Sequence, residues 1–519
     1  MTSTRLPGAF TIAAGGLFCL FAIVSIMLGE GNTLANVFLY LIIGTCGLAI
    51  IEPRTSFFIF LVTCGYVDLF KRLMVVSGRV SMDDLFYVLG LAPALFSCII
   101  VSVVVRGVIG GLPMGRQHMR LFVIGCAVVF LNAFLSYLDV DHSIGKVMQG
   151  TANGGLYGML IFVVPMLFHE EDDVLHLFKF LLWTYFPVGF YGIVQKVWGF
   201  QDFELAYLMT GLSIEIKQLF TDRVRAFSTL NSPTALGAIS AAFVALPVYL
   251  ASVKTANRHR RVLPMALAVV FSLVHLGSLA ASTSRTGFIM VAVMVAGIIA
   301  FRTRTGTIAF YSVGGAAFAT LLVGARYMLD RIEGVTDRLL MKFGGSVSDD
   351  TININTFSDR LHGFADVLTN PEAYTWFGYG AGRGVDPRDP LYNHDLLSNT
   401  LVRYGAVPLT VLVVSAIVFL TWTHAHLLGI RDKRRRNICA AMLALAMSLF
   451  AISITSGNVL SIFPVNTFFW LAVTATIVVV SADARAQVSV RQTAPLRAGE
   501  PHPGSESSYV TTVHPMHLS

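Results

Sequence analysis

The chain has 519 residues, 55% of them hydrophobic and only 13% charged, with a mean hydropathy of +0.70, which excludes an ordinary soluble globular domain. The formal charge of +7 is carried by short basic clusters between apolar runs and has no basic groove with interleaved aromatics, so it speaks for membrane topology and against nucleic-acid binding. Cys19, Cys46, Cys64, Cys98, Cys126 and Cys439 all lie in apolar runs without close metal-ligand spacing, as packing residues do.

A helix crosses the hydrocarbon core with about 17–25 residues, and apolar runs of that length recur from end to end. Spans are predicted near 9–28, 33–51, 56–70, 82–105, 119–138, 151–168, 174–199, 235–253, 262–282, 284–301, 307–327, 405–426, 437–455 and 464–481, about fourteen in all. The first follows only Arg5 and has no small-residue cleavage site, so it reads as an uncleaved span. The third is the weakest, being short and ending in Asp68, Lys71 and Arg72. Residues 1–481 thus form one polytopic membrane domain. From 482 to 519 the chain is polar, rich in Ser, Thr and Pro and aperiodic, the composition of a disordered cytoplasmic tail.

Orientation follows from three basic loops: Lys254, Arg258, Arg260 and Arg261; Arg302 and Arg304; and Arg431 with Lys433 to Arg436. The positive-inside bias makes all three cytoplasmic, and each is two spans from the next. Both termini are then cytoplasmic, as is the acidic turn Glu170 to Asp173. The segment 200–234, the tight corner 283–286 and the long segment 328–404 face the other side, together with Lys71, Arg72 and Arg79, which run against the bias. The segment 328–404 is long for a connector, and such loops are usually functional or disordered. Its aromatics Tyr374, Trp376, Phe377 and Tyr379, and an amphipathic run over 358–368 suited to a short interfacial helix, favour order.

Three residues on that outer face stand out. Arg285 lies in Ala281-Ser-Thr-Ser-Arg-Thr-Gly287, between two apolar runs with almost no room for a loop. As an anchor it would be on the wrong side for the charge bias, which turns the balance toward ligand binding. Arg225 precedes Asn231-Ser232-Pro233, a turn or helix start that fixes it relative to the next span. His394 sits just before the span that begins near 405, with Asn393 and Asp395 beside it to orient the ring. Guanidinium groups suit phosphate or pyrophosphate through a planar fork of donors, and imidazole accepts a proton near neutral pH. The run Gly378-Tyr-Gly-Ala-Gly-Arg-Gly384 imitates a dinucleotide fingerprint, but no βαβ unit surrounds it, and it reads as a glycine-rich turn. No metal or nucleotide motif occurs, so neither a metal nor a cofactor is expected.

In order and spacing these stretches resemble the superfamily of O-antigen ligases and O-antigen or exopolysaccharide polymerases, bacterial membrane glycosyltransferases. The resemblance lies in Arg225 eight residues before Pro233, in the corner Ser284-Arg285-Thr286-Gly287, and in a long loop. That loop carries Ser358-Asp359-Arg360, then Gly378-Tyr379-Gly380, then His394 with Gly405 eleven positions on. It covers about 200 residues of the second half. Where the family often has glycine three after the first arginine, this chain has Ser228; where it has asparagine after the histidine, this chain has Asp395.

The resemblance implies a GT-C-like, all-α integral membrane protein with a long periplasmic loop carrying short helices, in the bacterial inner membrane. It implies a metal-independent, inverting transfer from an undecaprenyl-pyrophosphate-linked oligosaccharide, with a flippase and a chain-length regulator of the same pathway as partners. Arg225 and Arg285 would hold the donor pyrophosphate and His394 would take the proton from the acceptor hydroxyl. Arg360, Arg383, Asp359, Asn393 and Asp395 would support them. The span count, slightly above that of a typical ligase, favours a polymerase of repeat units. The alternatives are a ligase acting on lipid A core or another acceptor, a protein O-oligosaccharyltransferase, a transporter of an anionic or lipid-linked solute, and a non-catalytic assembly subunit.

Overall fold

The computed structural model describes residues 33–77, 85–112, 114–138, 144–210, 225–254, 261–316, 367–368, 370, 374–378, 395–456 and 459–493. The helices in chain order are α1 Thr33–Ile51, α2 Pro53–Val76, α3 Leu85–Ile109, α4 Arg116–Tyr137, α5 Ile144–Asn153, α6 Leu160–Leu167, α7 Glu171–Trp198 and α8 Asp202–Met209. They continue with α9 Pro233–Ser252, α10 Met265–Ala281, α11 Arg285–Ala300, α12 over 304–316, α13 Leu396–Tyr404, α14 Ala406–Gly429, α15 Lys433–Ser456 and α16 Val465–Thr493. Among the described residues the only β pairing is a single bridge between Lys254 and Arg261.

The described residues are therefore all-α, and seven of these helices are long and apolar enough to cross a membrane: those over 88–109, 116–137, 171–198, 233–252, 406–429, 433–454 and 465–487. Shorter apolar helices lie at Tyr40–Ile51, Gly155–Leu167, Met265–Ala281 and Thr286–Ala300. The expected count of fourteen rests in part on 9–28 and 317–327, which lie outside the described residues.

Three spans depart most from expectation. The weak third span is a full 24-residue helix, Pro53–Val76, because its charged end is taken up inside the protein, as the site below shows. The span expected over 151–168 is instead α5, a 3-10 turn Gly155–Met159 and α6. The break lies against α4, where a Cβ on Gly155 or Gly158 would stand 2.6 Å from Asn132 or Val128 respectively, so only a glycine backbone approaches that closely. The last helix runs on through Thr493 past the expected end near 481, tied by Asp483 to Arg435 in the first turn of α15 and by Arg485 to the His169 carbonyl; residues 494–519 lie outside the described ones.

Side-chain size sorts helices into centre and periphery. Between helices in lipid the hydrophobic effect supplies little, so close packing through small residues decides association. α9 (Pro-Thr-Ala-Leu-Gly-Ala-Ile-Ser-Ala-Ala) and α15 (Ala-Ala-Met-Leu-Ala-Leu-Ala-Met-Ser) are rich in such residues and deeply buried, as is α16, whereas α4 and the Val-rich α14 lie at the periphery. A Cβ on Gly297 of α11 would reach Ala444 Cβ of α15 at 2.9 Å, so these two backbones are nearly touching.

Charge gathers the helix ends on one side. Arg434 pairs with Glu171 at 3.1 Å and with Asp172, and its Nε donates to the Lys254 carbonyl at 2.8 Å. Arg435 pairs with Glu171 at 3.1 Å and Asp483 at 3.7 Å, and Arg54 with Asp173 at 2.6 Å. Arg485 donates to the His169 carbonyl. The acidic turn and the basic loops, assigned to one face from sequence, thus meet at one end of the bundle. Arg434→Ala leaves Glu171, Asp172 and the Lys254 carbonyl without this partner, a loss of about 1–3 kcal/mol. The expected result is a thermal unfolding midpoint in detergent several degrees below that of Lys433→Ala, a change next to it.

Candidate active site

The opposite end of the bundle is built around a chain segment that turns back into it. Between α8 and α9, Ala226 to Leu230 are buried although they belong to no helix, so their backbone polar groups need partners other than water. Gln195 of α7 supplies one side: its Oε1 accepts from Phe227 N at 3.0 Å and Ser228 N at 2.6 Å. Arg72 of α2 supplies the other: its Nη2 donates to the carbonyls of Ser228 at 2.7 Å and Leu230 at 3.2 Å, and its guanidinium lies 4.6 Å from the centre of the Phe227 ring. Glu204 of α8 neutralises the arginine at 3.3 Å and accepts from Gln195 Nε2 at 2.5 Å. Ser228 and Thr229 hydroxyls donate to Val188 O at 2.5 Å and Gly65 O at 2.7 Å. Ser228 itself takes φ 56°, the left-handed region that costs an L-residue roughly 1–2 kcal/mol.

The segment leads into α9 as the sequence predicts. Ser232 is the N-cap, accepting from Ala235 N at 3.2 Å, and Pro233 occupies the first turn, where its missing N–H costs nothing. Arg225 stands at the other end of the segment.

The second corner, Ala281 to Gly287, reads residue by residue. α10 ends at Ala281, and Thr283 takes φ 53°, an outlier for a β-branched residue. Ser284 caps α11 through Gly287 N at 3.3 Å. Gly287 is required because a Cβ there would stand 2.3 Å from Leu279 Cδ1, and Gly237 because its Cβ would meet Ser284 Cβ at 2.4 Å. Ser284 and Gly287 therefore have structural duties. Arg285 has the first position of α11, the positive end of the helix, where a cation is disfavoured by about 0.3–1 kcal/mol. Its side chain lies outside what the structure describes.

These two corners are joined. Arg225 Nε donates to Thr283 Oγ1 at 2.9 Å, and Ala226 N to Ala281 O at 3.1 Å. Among the described residues, Ser228 and Thr283 are the two non-glycine positions with positive φ, one in each corner. Such strain persists only where surrounding structure over-determines it, and it clusters at functional sites.

Of the third stretch, Asp359, Arg360, Arg383, Asn393 and His394 lie outside the described residues. Asp395 is the N-cap of α13, accepting from Ser398 N at 2.8 Å, and is buried; burial pushes its carboxyl above the usual range. At the far end of α13, Gly405 has φ 91° and Gly378 φ 74°, and a Cβ on Gly405 would meet Gly378 N at 2.4 Å. The two glycines let the loop lie directly on the start of α14, where the Thr375 and Trp376 carbonyls accept from Ala406 N at 3.0 Å and Val407 N at 3.1 Å. Gly378 is thus a turn residue, as its sequence context implies.

Sequence reasoning missed Arg72, Gln195 and Glu204. The one available signal was the outer position of Arg72 against the charge bias, the same oddity that marks Arg285; Lys71 beside it is paired with Asp68 at 2.9 Å. No three His, Cys, Asp or Glu side chains converge as a metal-ion set among the described residues. No protein family, curated protein or solved structure matches the chain.

Two outcomes are expected. A carboxyl raised by folding contributes stability below its unfolded range and loses it as pH rises through the folded one. Asparagine caps helices equally well, so Asp395→Asn should raise the unfolding midpoint at neutral pH, with the gap closing at acid pH; a pH-independent shift would contradict this. Gly405→Ala should detach the loop from α14, seen as faster limited proteolysis near 374–378 while α9 to α11 stay protected.

Proposed function

We propose that this chain is a membrane glycosyltransferase that polymerises undecaprenyl-pyrophosphate-linked repeat units of an exopolysaccharide or O-antigen at the periplasmic face of the bacterial inner membrane. The observation that carries the proposal is the junction of Arg225 with the Thr283 corner, which brings two arginine-bearing motifs, 60 positions apart in the chain, to one end of the bundle. The contact of Gly378 with Gly405 adds to it, since these glycines belong to the third part of the resemblance. The gathering of basic loops at the opposite end supports the orientation, because positive loops stay cytoplasmic.

In this reading Arg225 and Arg285 bind the donor pyrophosphate and stabilise the charge that grows on it as its bond to the anomeric carbon breaks. His394 accepts the proton of an acceptor hydroxyl whose oxygen forms the new bond from the opposite face, inverting the anomeric centre. Undecaprenyl pyrophosphate leaves. Asp395, by capping α13, fixes where the chain turns after the histidine. Arg360 and Arg383, with Asp359 and Asn393, assist with phosphate or glycan.

The test is transfer by purified protein in nanodiscs supplied with undecaprenyl-pyrophosphate-linked repeat units, without metal or nucleotide. Products of increasing repeat number are expected, with loss of about 10²–10³-fold or more in His394→Ala, Arg225→Ala and Arg285→Ala. Units that stay single but move onto added lipid A core would make the enzyme a ligase. Donor binding with no transfer to any acceptor would favour transport or assembly.

A further inference from the structure

A side chain that must grip a pyrophosphate has to be held in place, and Arg225 stands on a segment with no secondary structure of its own. What holds that segment comes from three helices, α2, α7 and α8. Gln195 clamps two successive N–H groups, those of Phe227 and Ser228, and Arg72 clamps two carbonyls, those of Ser228 and Leu230. Both converge on Glu204. Ser228, gripped from both sides, is the residue with the left-handed backbone. All three clamping side chains are fully or almost fully buried, Arg72 at 2% exposure and Gln195 and Glu204 at 0%. A buried ion pair is a weak device for stability alone, since apolar residues of the same volume commonly do as well. An apolar replacement would nevertheless leave four backbone groups of the segment without partners. The clamp therefore acts on the direction in which the chain leaves Phe227 and Ala226 for Arg225.

We propose that Gln195 and Arg72, neutralised by Glu204, are positioning residues that hold the strained turn at Ser228 and thereby set Arg225 against the Thr283 corner. The inference rests on Arg225 as the pyrophosphate ligand. None of the three residues needs to touch the donor.

The test has one readout that needs no activity and one that does. Hydrogen exchange in the full-length protein should show the amides of 226–230 exchanging about tenfold faster or more in Gln195→Ala, with α9 and α10 at wild-type protection. Adding Ser228→Gly, which adopts positive φ freely, should restore much of the lost activity, while Ser228→Ala, which loses the same hydroxyl and keeps the strain, should not. Gln195→Ala should lower kcat/KM for the lipid-linked donor by about 10²-fold, as a misplacement of about 1 Å does. It should cost nothing further in an Arg225→Ala background.

Additive losses would overturn the proposal, because Gln195 would then act independently of Arg225. Unchanged exchange at 226–230 would overturn it as well. Should Gln195→Ala not fold, Arg72→Lys serves in the same cycle: it keeps the charge opposite Glu204 but not the two-carbonyl fork. Should the wild type transfer nothing, the enzymatic reading fails separately; exchange still decides whether the clamp holds the turn, and undecaprenyl-pyrophosphate Kd replaces kcat/KM in the cycle.

Discussion

A chain that turns back inside an apolar bundle must find a partner for every N–H and C=O it carries, because neither lipid nor packed side chains will accept them. Here that demand falls on residues 226–230; backbone bonds serve Ala226 N and Leu230 N, and side chains serve the rest of the turn at Ser228, with Gln195 for two donors, Arg72 for two acceptors and Glu204 to balance the charge. The full length of α2 follows from it. Its last turns carry an arginine, a lysine and an aspartate, which would end a lipid-facing span, and they remain helical because the arginine is spent inside the protein.

The same segment explains why the candidate site lies where it does. By returning into the bundle it meets the C-terminal end of α10, and the bonds from Arg225 to Thr283 and from Ala226 to Ala281 fasten two loops that the chain connects only through the length of α9 and α10. Both loops hold a residue in a costly backbone conformation. Around Arg285 three neighbours have duties that packing explains: Ser284 caps, Gly287 admits the close approach of α9, and Thr283 takes the bond. The arginine itself stands at the helix end that disfavours a cation, which is the physical ground for the ligand proposed for it.

The two ends of the bundle are organised differently. At one, partly buried cations and carboxylates lace helix ends together side chain to side chain through Arg434, Arg435 and Arg54. At the other, charge is buried and paired with backbone. The first holds ends of helices; the second holds the shape of a loop. Small residues in α9, α15 and α16 bring the intervening helices close enough for both to form.

Composition and apolar run length were enough to establish an all-α membrane protein, because a span must satisfy its own backbone and so declares itself locally. The common face of the basic loops was legible too, since charge bias acts on short loops one at a time, and so were the cap at Ser232 and the corner at Ser284. The break at Gly155 was not, because it depends on what Asn132 and Val128 leave room for. Nor was the roll of Arg72, Gln195 and Glu204: in sequence they are a misplaced charge, a glutamine in a helix and an acid in a short turn of helix. They become one device only when α2, α7 and α8 stand side by side, since hydrogen bonds between residues more than a hundred positions apart leave no periodicity to read.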